Sequence, residues 1–134
     1  MSIRLLLIDD EDDFVEILGD WLKFKGYDVA TASDGIDGLE KLRTGEYDLI
    51  VLDLMMPRLD GYEFCRVIKK DDGLKNIPIV ILSAITRLGA SGLIKDLGVD
   101  AFVEKMADHD ELAGAITSVL AARKTANDRE EAYN

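Results

Sequence analysis

The chain has 134 residues, 48% of them apolar and 32% charged, which is enough for one hydrophobic core and too little for two lobes with a cleft between them. Its 16 basic and 27 acidic residues give a net charge of −11, which disfavours direct binding to nucleic acid or to an anionic membrane surface. No apolar run approaches the roughly 18 residues of a membrane-spanning helix, and the start of the chain lacks a signal-peptide cleavage pattern, so we expect a cytoplasmic protein without membrane insertion.

Short apolar runs alternate with longer segments of helical period, a pattern typical of a parallel sheet covered by helices on both faces. The first half of the chain contains three predicted strands: Ile3–Ile8, Asp28–Ala32 and Leu49–Leu52. The helix between the first two ends at Gly26, and its predicted core face carries Phe14, Ile17, Leu18, Trp21 and Leu22. The next helix ends at Gly45, with Ser33 as its predicted N-cap and Ile36, Leu39 and Leu42 facing inward.

The second half continues the alternation with two more predicted strands, Ile77–Leu82 and Ala101–Val103. Pro57 and Gly61 mark a loop before a third helix, whose predicted core residues are Phe64, Cys65, Val67 and Ile68. Residues 86–98 predict a weak helix, because two glycines each cost it roughly 1 kcal/mol of helix propensity. Asp108 and Glu111 resemble a capping box that opens the last helix. The polar stretch from Ala126 to Asn134 predicts a frayed tail or linker, which leaves residues 1–125 as the domain.

The lone cysteine and the lone histidine are not expected to carry chemistry. Cys65 has apolar neighbours and no second cysteine to pair with, so we expect a buried core thiol. His109 falls in the first turn of the last helix, where we expect it to face solvent.

Reactive side chains follow four of the five predicted strands, at the point where each strand ends. They are Asp9 and Asp10 after the first strand, Asp53 after the third, Ser83 after the fourth and Lys105 after the fifth. Binding sites in an open parallel sheet form beyond the carboxyl ends of the strands, so these groups should converge. Two carboxylates about 4 Å apart repel each other by roughly 4 kcal/mol at an effective dielectric constant of 20, which favours a bound cation. Hard carboxylate oxygens indicate Mg²⁺. The following acids, Glu11 to Asp13, are expected to be solvated at a helix N-terminus.

The residues at these strand ends resemble the motifs of the receiver domain of bacterial and archaeal two-component response regulators. The similarity runs from Ile3 to about Ala122 and comprises IDDE at 8–11, LDLMMP at 52–57, Gly61, Ser83 with Ala84, and Lys105. The resemblance implies a doubly wound five-stranded parallel sheet of the flavodoxin or CheY-like type, with strand order 2-1-3-4-5.

The resemblance also implies a role for each residue. Asp53 would take a phosphoryl group from a histidine kinase or histidine phosphotransfer protein. Mg²⁺ would be bound by Asp10 and Asp53 directly, by Asp9 through water, and by the backbone carbonyl of Met55. Ser83 would hydrogen-bond to the phosphoryl group, Lys105 would pair with it, and Phe102 would change rotamer on activation. Such a chain catalyses only its own phosphorylation and dephosphorylation. It would signal by binding a downstream protein target, with a phosphorylation-dependent dimer as a further possible output.

Two positions depart from the family pattern. Met106 stands where the family usually has proline after the lysine, which puts a cis peptide bond there in doubt. The switch position carries Phe102 rather than tyrosine, so burial of the ring must replace any hydroxyl contact.

Three alternatives remain open at this stage. A flavin carrier of the same topology needs a phosphate-binding loop rich in Ser, Thr or Gly after the first strand, where this chain has DDEDD. An aspartyl-nucleophile phosphatase needs a D-x-D pair and a cap insertion. A pseudo-receiver that acts as an unphosphorylated protein-interaction scaffold would normally have lost one of the five key residues.

Overall fold

Five parallel strands form a single sheet in the order β2-β1-β3-β4-β5, which confirms the expected doubly wound architecture. A computed structural model describes residues 2–84 and 92–133, with side chains through residue 125. The strands are β1 (Arg4–Ile8), β2 (Asp28–Ala32), β3 (Leu49–Leu52), β4 (Ile79–Ser83) and β5 (Ala101–Glu104). The helices are α1 (Asp12–Phe24), α2 (Gly35–Thr44), α3 (Gly61–Lys69), α4 (Leu93–Leu97) and α5 (His109–Tyr133). No helix among the described residues is both long and apolar enough to cross a membrane.

Both faces of the sheet are covered, because alternate strand residues enter two separate clusters of buried side chains. On β1, Leu6 and Ile8 pack with residues of α2 and α3, whereas Leu5 and Leu7 pack with residues of α1 and α5. Burial on both faces explains the uninterrupted apolar runs in β1, β3 and β4.

The register aligns the carboxyl ends of neighbouring strands. Ile8 pairs with Ala32 on one side and with Leu52 on the other, and Ser83 pairs with Glu104. Residues that directly follow these strands therefore emerge at one edge of the sheet.

Three side chains that were predicted to face the core are exposed: Ile17, Ile36 and Val67. In α1 the buried stripe contains Val15, Leu18 and Leu22, at the spacing of one helix face. Ile17 is one residue away from Leu18, which turns it about 100° from that face.

Several predicted boundaries also differ from the structure. The N-cap of α2 is Asp34 rather than Ser33, and its carboxylate accepts a hydrogen bond from the Asp37 N–H. Residues 126–133 continue α5 rather than forming a frayed tail. This stretch lacks an apolar stripe, but its Ala, Arg and Glu residues have high helix propensity.

The predicted weak helix over residues 86–98 is described only in its second part, because residues 85–91 lie outside the described chain. The helix α4 that follows covers five residues and buries none of them. Gly92 and Gly98 flank it in the left-handed region, at φ of 91° and 68°.

Candidate functional site

Three carboxylates meet at the carboxyl edge of the sheet, as the sequence predicted. Asp9, Asp10 and Asp53 each present one oxygen, and these oxygens lie within 4.8 Å of one another. Asp9 and Asp53 are only 2% and 5% exposed, whereas Asp10 is exposed.

Backbone hydrogen bonds extend the pairing of the strands by one residue and fix the positions of Asp9 and Asp53. The Asp53 N–H donates to the carbonyl of Ile8 at 3.0 Å, and the Asp9 N–H donates to the carbonyl of Ala32 at 3.1 Å. Two buried carboxyl groups are thus held on adjacent strands, close enough for their charges to interact.

Lys105 places its ammonium group beside these carboxylates. Its Nζ lies 2.8 Å from Asp9 Oδ2, 2.7 Å from Glu11 Oε1 and 3.6 Å from Asp53 Oδ2. The side chain is 8% exposed and passes over the ring of Phe14, with Nζ 4.6 Å from the ring centroid. The Lys105 N–H donates to the carbonyl of Ser83 at 2.7 Å, which fixes the lysine relative to β4.

Glu11 and Phe14 are contacts of the site that the sequence analysis missed. Glu11 was expected to be solvated; its side chain is largely exposed, yet it binds Lys105. Phe14 was assigned only to the core. Both contacts join residues about 90 positions apart, so no local spacing pattern predicts them.

Burial and mutual repulsion shift the acid–base equilibria of the site. Loss of hydration raises the pKa of Asp53, and the charges of Asp9 and Asp10 raise it further, against a hydrogen bond from the Met55 N–H. Loss of hydration also raises the pKa of Asp9, against the opposing effect of Lys105. Burial alone would lower the pKa of Lys105, but its bonds to Asp9 and Glu11 outweigh burial and raise it.

The donor set fits a hard divalent cation. Asp9 Oδ2 is buried, and among the described residues its partner is the ammonium group of Lys105 at 2.8 Å. Among the described residues, one ammonium group faces four carboxylates at this site, so negative charge is in excess there. Carboxylate oxygens are the ligands that Mg²⁺ prefers, and Asp9, Asp10 and Asp53 would hold it.

The remaining predicted residues lie in the loop after β3 and on the strands β4 and β5. The Met55 N–H donates to Asp53 Oδ1 at 3.2 Å and its side chain is 62% exposed, while the metal-binding role of its carbonyl stays a prediction. Ser83 is fully buried at the end of β4, and Phe102 is buried on β5, paired with Ile81. The switch roles of Ser83 and Phe102 also stay predictions.

Two further expectations concern the segment after β5. The peptide bond between Lys105 and Met106 is trans. His109 does not stand free in solvent as predicted, because its ring packs 5.2 Å from that of Trp21.

Comparison with known proteins links this site to a family of signalling domains. Residues 5–117 match the family described as "Response regulator receiver domain". The chain is 35% identical over its whole length to the alkaline phosphatase synthesis transcriptional regulatory protein PhoP of Bacillus subtilis, covering 55% of that protein. It is 36% identical to protein PilG of Pseudomonas aeruginosa, over 86% of this chain and 85% of PilG.

A solved structure with the same fold is that of response regulator protein TrrA from Thermotoga maritima, described as in complex with Mg(2+)-BeF. It is 32% identical, with a TM-score of 0.76, and the match covers 88% of this chain and 99% of TrrA. The chain spans about half the length of the first curated relatives that it matches.

Proposed function

We propose that this chain, which belongs to the response regulator receiver domain family, accepts a phosphoryl group on Asp53. The donor would be a phosphohistidine of a histidine kinase or histidine phosphotransfer protein. The convergence of Asp9, Asp10, Asp53 and Lys105 at one edge of the sheet carries this proposal. The family comprises signalling domains rather than enzymes that act on other substrates, so the only reaction proposed is on the chain itself.

In the proposed reaction, a carboxylate oxygen of Asp53 attacks the phosphorus of the phosphohistidine. A P–O bond forms, the P–N bond breaks, and the imidazole nitrogen keeps the electron pair and is protonated by solvent. The bound Mg²⁺ would neutralise charge on the phosphoryl oxygens. Asp53 needs no protein base, because it reacts as the carboxylate.

Lys105 supplies the second positive charge for this chemistry. Its Nζ is already 3.6 Å from Asp53 Oδ2, and its bonds to Asp9 and Glu11 hold the extended side chain in place. A prepositioned ammonium group stabilises the charge on the transferring phosphoryl group without reorganisation at the moment of reaction. Ser83 would donate its hydroxyl proton to a phosphoryl oxygen, and the movement of Ser83 would be passed to Phe102 on the adjacent strand.

The output of this chain would be a change in protein contacts. Phosphorylation would shift an equilibrium between two conformations and thereby select a downstream protein target, with a dimer as one possible form of the active state. We place the chain in the cytoplasm, with residues 1–125 as the receiver and residues 126–134 as a polar extension. We propose no direct contact with nucleic acid, because the net charge is −11.

Intact-mass measurement after incubation with acetyl phosphate and Mg²⁺ tests the proposal. Wild type should gain one phosphoryl group, and Asp53→Asn, which preserves the size of the side chain, should gain none. Circular dichroism of both proteins controls for folding. If wild type binds Mg²⁺ but gains no phosphoryl group from either acetyl phosphate or a phosphorylated histidine protein, the scaffold alternative replaces the receiver function.

A further inference from the structure

Arg58 and Asp34 form an ion pair that ties the loop after β3 to the start of α2. Arg58 Nε donates to Asp34 Oδ2 at 2.6 Å, and a terminal guanidinium nitrogen donates to the same oxygen. Asp34 is buried at 6% exposure, so its charge is poorly hydrated and depends on these donors. The N–H of Asp37 and the guanidinium of Arg58 together hold the pKa of Asp34 below its usual range.

The backbone at Arg58 adopts a conformation that the residue itself does not favour. Its φ is 64°, and it is the one non-glycine residue with positive φ among the described residues. Such a conformation costs a non-glycine residue roughly 1–2 kcal/mol, so contacts around the loop must hold it. A close contact lies next to it, because a Cβ on Gly35 would be 2.5 Å from the carbonyl oxygen of Leu59.

Each partner of the ion pair is linked to one of the buried acids of the site. Asp34 follows β2 closely, and the carbonyl of Ala32 at the end of that strand accepts the Asp9 N–H. Arg58 lies in the loop that follows Asp53, in which the Met55 N–H donates to Asp53 Oδ1. The ion pair therefore ties the loop that follows Asp53 to the segment that follows β2, whose last residue accepts the Asp9 N–H.

We propose that Arg58 is a positioning residue for the phosphoacceptor, acting through Asp34 to hold the Met55 N–H against Asp53 Oδ1. This inference rests on the proposed function of Asp53. With Oδ1 held by Met55, the second oxygen, Oδ2, is the one that faces Lys105. Because the Asp53 carboxylate is oriented before the phosphoryl donor binds, less entropy is lost on reaching the transition state.

Two variants break the pair while preserving the local backbone. Arg58→Gly removes the guanidinium and relieves the positive φ, so loss of folding is not expected. Asp34→Asn removes the charge but keeps an oxygen that can accept from the Asp37 N–H and cap α2. Arg58→Lys keeps a charge within reach of Asp34 and serves as the conservative variant.

The matched control is Arg123→Ala. It removes an ion pair with Asp100, in which two Arg123 nitrogens lie 3.0 and 3.3 Å from Asp100 Oδ1. Asp100 directly precedes β5, so this pair lies at the amino ends of the strands, away from the site. This control separates the loss of a paired guanidinium in general from the loss of the loop contact.

Two quantities are measured for each protein: the initial rate of phosphorylation by acetyl phosphate at fixed Mg²⁺, and the hydrogen-exchange rate of the Met55 amide by NMR. We expect Arg58→Gly and Asp34→Asn each to lower the phosphorylation rate about tenfold and to speed Met55 exchange by a similar factor. The double variant should be no slower than either single variant, because both remove the same contact. Arg58→Lys should recover most of the rate, and Arg123→Ala should change neither quantity.

The two readouts distinguish failure of the inference from failure of the proposed function. Wild-type exchange at Met55 in both variants would overturn the inference, whether or not Asp53 is phosphorylated. Faster exchange with an unchanged phosphorylation rate would overturn it as well, because the contact would then be structural only. If wild type itself accepts no phosphoryl group, the proposed function fails, and the positioning role of Arg58 falls with it.

Discussion

Replacing Gly61 by alanine should disturb the backbone of the site directly. A Cβ at this first residue of α3 would lie 2.6 Å from the Asp53 carbonyl oxygen and 2.6 Å from Leu54 Cα. Both are backbone atoms, which cannot rotate away, so either the β3 end or the start of α3 must move. Overpacking of this kind costs about 1–3 kcal/mol, against a gain in helix propensity of up to about 1 kcal/mol. We expect Gly61→Ala to lower the free energy of unfolding by about 1–2 kcal/mol.

The assay is thermal unfolding with a matched glycine in another helix as the control. A loss of about 1–2 kcal/mol corresponds to a fall in Tm of roughly 3–8 °C for a domain of this size. Gly19 lies inside α1, and a Cβ there meets no atom of the described residues within 4 Å. Gly19→Ala should therefore raise the free energy of unfolding by about 0.5–1 kcal/mol. A Tm for Gly61→Ala equal to or above that of wild type would refute the reasoning.

Three further outcomes are expected. Burial raises the pKa of the Cys65 thiol to about 11, so native protein at pH 8 should react with a thiol reagent far more slowly than protein unfolded in urea; equal rates would contradict this burial. The pKa of Asp34 is lowered on folding, so its charge stabilises the fold above the unfolded-state pKa and this contribution disappears as pH falls through the folded-state pKa. The difference in unfolding free energy between wild type and Asp34→Asn, measured in urea, should thus be larger at pH 7 than at pH 3, and a constant difference would contradict the assignment. Mg²⁺ at 100 times its Kd should stabilise wild type by about 2.7 kcal/mol and should raise the Tm of Asp10→Asn by less, whereas equal Tm shifts would remove Asp10 from the cation site.

The sheet and the acidic group could be predicted because both depend on short-range sequence patterns. Uninterrupted apolar runs mark β1, β3 and β4, and parallel strands bring Asp9, Asp53 and Lys105 to one edge of the sheet whatever the details of packing. The contacts Lys105–Glu11 and Arg58–Asp34 could not be predicted, because they join residues 94 and 24 positions apart with no periodic signal between them.

Errors in the element boundaries have equally physical causes. Ser33 and Asp34 are both good N-cap residues, and in the structure Asp34 takes this role, with Oδ1 accepting from the Asp37 N–H and Oδ2 accepting from Arg58. The absence of apolar periodicity led us to predict no helix over residues 126–133. The helix α5 continues there over residues of high helix propensity, without an apolar stripe in the sequence.

The strand order also bears on how the chain folds. The β1–β3 pairing joins Leu5 to Leu49, about twice the chain separation of the β4–β5 pairing of Val80 with Ala101. The entropic cost of closing a loop grows with the length of the loop. The pairs β1–β2 and β3–β4–β5 can therefore form as two local assemblies before β1 pairs with β3. Asp9 belongs to one assembly and Asp53 to the other. The Asp9–Asp53 repulsion and the Asp9–Lys105 ion pair therefore both arise when the two assemblies join, so the charges of the site act on that step rather than on the early folding nuclei.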